Sequence, residues 1–209
     1  MLLAIALLAA SAAQPGTTVS PFFADPTVSA ALGSIDPKPG AWAEYLIRAS
    51  GKGDLRVRAT ALPAAGEGRY WLELATASET GIASAARLLL HGTDFSAGGV
   101  ERAILMLAGQ QPIEVPPEYV RRGEARSAAN AQVKKLGTER VRVPAGEISA
   151  ERLRVSGVRV WRSASVPLWG LVKAVSPRES IELVASGITG GHSVFPPGWD
   201  QGNGSESRK

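Results

Sequence analysis

At 209 residues, with 44% hydrophobic and 20% charged residues, the chain has the composition of one ordinary globular domain with ends to spare. Its 23 glycines and 14 prolines demand many turns and argue against a helical bundle, while the lack of cysteine excludes disulfides, thiolate metal sites, a cysteine nucleophile and a lipidated cysteine after a leader. The net charge of +4 is modest, but 118–162 holds eleven Lys or Arg against five Glu, which reads either as attraction to anionic head groups or an acidic partner, or as Arg on solvated strand faces.

The opening run MLLAIALLAASAAQPG has the pattern of a secretory leader, 1–13, cleaved near Ala12 or Ala13. It stops at Gln14-Pro15, short of the roughly 20 apolar residues that span a bilayer. No Lys or Arg precedes Leu2, a departure from the leader pattern that an upstream start would explain. The expected compartment is the periplasm. Within the N-terminal segment 14–40, Asp25-Pro26 supplies an N-cap and an N1 proline, and Gly33 a stop, for a short helix over Pro26–Leu32.

A β-rich domain is expected over 41–188. AWAEYLIRA sets Ala43, Tyr45 and Ile47 against Trp42, Glu44 and Arg48, and LRVRATAL alternates in the same way after the turn SGKGD, so these two segments read as a hairpin. RYWLELATA continues the meander. IASAARLLLHG fits a fourth strand or a helical turn, and VERAILMLAGQ a strand before a proline-interrupted extended piece. GEARSAANAQVKKLG reads as the clearest helix, with Glu124 in its first turn, Lys134 and Lys135 in its last, and Gly137 as its stop. Strands resume at ERVRV, turn at VPAG and return as EISAERLRV, where Ile148 and Ala150 fall out of phase with Leu153 and Val155. A bulge near Glu151 and Arg152 would restore the register. VRVWRS, LWGLVKAV and IELVASGI follow, and a Gly-, Ser- and Pro-rich flexible tail is expected over 189–209.

Chemistry-bearing constellations are weak. Two histidines, His91 and His192, do not make up the three or four ligands that zinc requires. His91 with Asp94 offers a base and its orienter, but no G-x-S-x-G elbow accompanies them. GKG and GEG are turn glycines without the helix or the Lys-Ser/Thr pair of a phosphate loop. Neither a cofactor, a metal, nucleic acid nor catalysis is expected.

The segments LGTERVRVPAGEISAERLRV, VWRSASVPLWGLVKAV and IELVASG, spaced at hairpin lengths, resemble secreted β-domains related to the lipoprotein-localisation-factor superfamily. The likeness covers roughly 137–187. It implies a mainly β (α+β) fold: an antiparallel, strongly curved sheet or unclosed barrel with one or two helices on its concave side. Family members carry lipid-modified proteins in a hydrophobic cavity, so the resemblance implies a binding or carrier protein for an acyl chain, a lipid or a lipidated protein.

The residues expected to line such a trough are Trp42, Tyr45, Leu72, Met106, Trp161 and Trp169, with Arg122, Arg126, Lys134 and Lys135 contacting a head group, a membrane surface or an envelope protein. The alternative is a non-catalytic envelope interaction module in which the same aromatics fill a core. Oligomeric state is not encoded in any pattern here.

Overall fold

The computed structural model describes residues 34–50, 53–78, 81–93, 99–117, 132–155 and 157–199. These form strands β1 (Trp42–Ala49), β2 (Leu55–Pro63), β3 (Arg69–Ser78), β4 (Gly81–His91), β5 (Val100–Leu107), β6 (Ile113–Val115), β7 (Val133–Val143), β8 (Gly146–Val155), β9 (Val158–Arg162), β10 (Leu171–Val175) and β11 (Glu179–Gly187). All belong to one sheet in the order β6-β5-β4-β3-β2-β1-β11-β10-β9-β8-β7. Every pairing is antiparallel. Two meanders therefore meet where β1 pairs with β11, and β6 and β7 remain as edges, so the sheet is not closed.

Two consecutive amides show how strongly the sheet curls. Ile35 N–H donates to the Thr93 carbonyl just past β4, and Asp36 N–H to the Leu168 carbonyl just before β10, each at 2.9 Å. In a flat sheet, strands five positions apart would lie about 24 Å from one another. Neighbouring residues separated by only ~3.8 Å along the chain can reach both only if the two halves curve toward each other. Ile35, 2% exposed, plugs that end of the curl.

The inward face is continuous and apolar. It is built from alternate residues: Ala43, Tyr45 and Ile47 of β1, Val57, Ala59 and Ala61 of β2, and their cross-strand partners Leu72, Leu74, Ala86 and Leu88. β4 is a strand despite its alanines, because it pairs along its length with β3 on one side and β5 on the other; tertiary pairing outweighs Ala's helical preference.

Two local expectations are corrected. Lys134 and Lys135 lie in β7, not in the last turn of a helix, and Gly137, expected as a helix stop, sits at φ 108° beside a bulge where Leu136 has no partner on β8. The remainder of that expected helix, and Pro26–Leu32, lie outside the described residues. The bulge is on β7, so β8 keeps its own alternation. Ile148 and Ala150 turn to the face opposite Leu153 and Val155. Both faces are buried, since Ala150 is 1% and Leu153 2% exposed; the tip of the β7–β8 hairpin reaches across to β11, where Ala145 N–H donates to the Leu183 carbonyl at 3.1 Å.

The stretch from Thr189, expected as a flexible tail, packs as a strap across the outer face as far as Trp199. Phe195 joins Trp71, Ala75, Ala85 and Ile104 in a second apolar cluster, with Val194, Met106 and Trp199 against it. Gly191 is what lets the strap cross β2: a Cβ there would sit 2.7 Å from Thr60 Cγ2 and 2.8 Å from the Gly40 carbonyl. Removal of the ring in Phe195→Ala is expected to cost about 3–4 kcal/mol, lowering the thermal midpoint by roughly 6–16 °C. A midpoint within 1–2 °C of the parent, by calorimetry, would show that the strap adds little.

Candidate functional site

The inward face is the first place to look for a site. Ala43, Ala59, Ala61, Ala86, Ala103 and Ala174 are all fully buried there. Alanine projects a single methyl, so a curled sheet carpeted with it leaves depth that larger groups must occupy. From the described chain, Ile35, Val166, Leu168 and Trp169 enter this space at one end. The Trp169 ring stacks on Tyr45 with centroids 6.5 Å apart and planes 15° from parallel.

Two hydroxyls on this face have no well-formed hydrogen bond among the described residues. Tyr45 Oη and Tyr70 Oη are buried without a hydrogen bond of ordinary geometry. Burial pushes the Tyr45 phenol far above its ordinary range, offset only in part by the Trp169 indole, and burial alone pushes Tyr70 up to about 12. Both are neutral donors at any physiological pH. An unmet buried hydroxyl typically costs about 1–3 kcal/mol.

Beside the plugged end lies a cleft of about 600 Å³, lined by Asp36 and Lys38, by Ser149 and Glu151 of β8, and by the loop from Arg162 to Gly170. The loop is tightly specified. Leu168 adopts φ 67° and Gly170 φ 73°, and a Cβ on Gly170 would lie 2.9 Å from the Ser163 carbonyl. A left-handed leucine is sterically costly, and here the Leu168–Asp36 bridge holds it. Arg162 Nε donates to the Trp169 carbonyl at 3.3 Å. Burial lowers the pKa of that guanidinium and nearby Glu151 raises it, with a net fall. Cations and anions alternate around the cleft, so its wall is polar without a dominant sign.

The outer face carries a buried ion pair of a different kind. Glu73, 2% exposed, accepts from Arg87 Nε at 3.2 Å, Ser193 Oγ at 2.7 Å and Val194 N–H at 2.7 Å. The Arg87 guanidinium lies 4.8 Å from the centre of the Phe195 ring. Both oxygens of Glu73 are occupied by donors, which makes this a clasp for the strap and not an acid–base centre.

The expected site residues divide between the two faces. Tyr45, Leu72 and Trp169 come together inside. Trp42 faces outward, donating to the Thr189 carbonyl at 3.1 Å with the Arg58 guanidinium 4.1 Å above its ring; it is three positions from Tyr45, an odd spacing that separates faces in a strand. Met106 packs in the outer cluster. Trp161 alternates with the inward Val160 and donates to Glu139 Oε1 at 2.6 Å. Lys134 stands opposite Arg154, whereas Lys135 turns to the other face and pairs with Glu151 at 2.9 Å. Arg122 and Arg126 lie outside the described residues.

Among the described residues no group of acidic or histidine side chains is placed to hold a metal. His91 ends β4 exposed, and Asp94 lies outside the described residues. Sequence reasoning overlooked Tyr70, the Ile35–Asp36 crossing and the 163–170 loop; the Leu-Trp-Gly run after Pro167 was the one signal for the last of these.

The unmet hydroxyl yields a stability prediction. Tyr45→Phe is expected to leave the ligand-free protein as stable as the parent or more stable by about 1 kcal/mol, measured as a shift in the urea midpoint. A loss of 1 kcal/mol or more would instead mean that the hydroxyl is satisfied. Comparison of the chain with known proteins finds no matching family model and no matching curated protein.

Proposed function

We propose that this is an exported, non-catalytic binding or carrier protein for a hydrophobic ligand, taking an acyl chain of a lipid or lipidated protein against the inward face of its unclosed sheet. The observation that supports it most directly is the pairing of an alanine-carpeted apolar face with two buried tyrosine hydroxyls that make no hydrogen bond of ordinary geometry among the described residues, Tyr45 Oη having only the Trp169 indole beside it. Burial of a chain there is worth roughly 0.8 kcal/mol per methylene before ordering costs. Tyr45 and Tyr70 would donate to ester or amide carbonyls, and the polar cleft at the plugged end would receive the head group. The resemblance to the lipoprotein-localisation-factor superfamily supports the same reading, including one or two helices on the concave side that would share this space.

A second reading follows from the complete burial of the inward side chains: an envelope interaction module with a filled core. The two differ in what the native protein carries. Mass spectrometry of organic extracts from the mature chain, 14–209, purified from the periplasm without detergent, is expected to show a stoichiometric lipid. Tyr45→Phe should reduce the retained lipid about 5–10-fold, as loss of one hydrogen bond to ligand implies, without unfolding. A well-folded protein that yields no lipid and binds no hydrophobic dye would favour the filled core.

A further inference from the structure

The register of the second meander sets Lys134 of β7 directly opposite Arg154 of β8, and Arg154 directly opposite Arg159 of β9. Directly paired residues in an antiparallel ladder project from the same face with Cβ atoms about 4.5–5.5 Å apart. Three cationic side chains thus stand in a line across three adjacent strands, and all three are exposed. Like charges placed directly opposite one another destabilise a sheet.

The neighbouring row on the same face shows how this fold otherwise treats its cations. Arg152 donates to Glu139 at 3.1 Å and Lys173 to Glu182 at 2.6 Å. In the Lys134–Arg154–Arg159 row no carboxylate of the described residues lies within ion-pair distance. The Arg159 guanidinium carbon lies 5.7 Å from the centre of the Trp161 ring. The row begins on β7, the edge strand among the described residues, where Val133, 41% exposed, precedes Lys134.

We propose that this row docks the protein reversibly on an anionic lipid surface. A plane of phosphates can meet three collinear cations at once and requires no pocket. None of the three residues lines the mouth cleft or the smaller cleft on the outer face, where a peptide side chain would seat. Each cation near such a surface contributes about a fivefold gain in partitioning, and salt screens it. The row is separate from the inward face and stands whether or not that face takes a ligand.

The test is sedimentation of the full mature chain with vesicles of mixed phosphatidylglycerol and phosphatidylcholine, against phosphatidylcholine alone. The parent is expected to partition to the anionic vesicles and to be released by salt. Arg154→Thr should lower the partition about fivefold, Lys134→Thr with Arg154→Thr should lower it further, and Arg154→Lys should retain it. The thermal midpoint of Arg154→Thr should equal or exceed the parent's, because a repulsion is removed and threonine suits a strand. Equal partition of the parent to both vesicle types, or unchanged binding by Arg154→Thr, would overturn the proposal. So would retention on immobilised polyglutamate that Arg154→Thr abolishes, if vesicle binding is absent, since that assigns the row to an acidic protein.

Discussion

The pairing of β1 with β11 is the joint on which the architecture depends. The first meander runs away from β1 in one direction and the second arrives at β11 from the other, so this ladder alone makes one sheet of two. Its partners, such as Ile47 with Ile181 and Tyr45 with Leu183, are remote in the chain, and closing so long a loop is entropically costly. Folding should accordingly be slow relative to the local hairpins. The joint also contains a bulge between Glu44 and Tyr45, where Val184 has no partner on β1. That interruption lies beside the Leu183 carbonyl, which accepts the Ala145 amide of the distant hairpin tip. The same irregularity that bends the ladder thus lies where the two meanders are tied a second time.

Curling gives the sheet two unequal faces, and each is managed differently. The inward face is mostly hydrocarbon, with its tyrosine hydroxyls, the Thr76–Ser84 pair, whose side-chain oxygens lie 2.7 Å apart, and the buried Glu179 at one end as polar exceptions. The outer face is mixed. Over β3–β5 it is covered by the strap, and the Glu73–Arg87–Ser193 group settles the register in which the strap lies. Along β1, β2 and β11 it carries Glu44 with Arg56 at 2.9 Å and Arg48 with Glu182 at 2.7 Å, exposed or half-exposed pairs of small energetic worth. A buried ion pair adds less to net stability than its geometry suggests, because both charges are desolvated. Its contribution here is specificity: a strap that slid by one residue would carry the Ser193 hydroxyl away from Glu73.

Much of this was legible in the amino-acid sequence where the information was local. The alternation Leu55, Val57, Ala59, Ala61 named the buried side of β2, and the turns at Gly53 and Gly146 divided the hairpins. Even the separation of Trp42 from Tyr45 was written in their odd spacing. What could not be read was non-local. Glycine- and proline-rich composition after Thr189 matches unstructured chain, and nothing in it announces that Phe195 has a partner in Trp71 on a strand far earlier. Lys134 and Lys135 sit in a run of good helix formers, and a glycine after it serves a helix stop or a bulge equally well. Pairing with β8 decided between them. Facing positions across the faces, and hence which tryptophans share a space, depend on strand order as well as alternation, so a set of large apolar residues drawn from six places in the chain divided between two faces.

Consistency between local preference and global structure is the rule in this fold, and its exceptions fall in three places. Leu168 holds a left-handed backbone at the mouth of the curl. Two buried tyrosine hydroxyls on the inward face make no hydrogen bond of ordinary geometry among the described residues. Three cations face one another on β7, β8 and β9 without a counter-charge among the described residues. Each raises the energy of the isolated chain by a mechanism that a conservative substitution would relieve: glycine at 168, phenylalanine at 45, threonine at 154. Costs of this kind persist where the surroundings over-determine them, and they concentrate at working surfaces. Leu168 lines the cleft at the plugged end and Tyr45 lies against Trp169 beside it, whereas the three cations lie toward the other ends of β8 and β9 on the outer face, so the exceptions fall in two separate regions of the sheet.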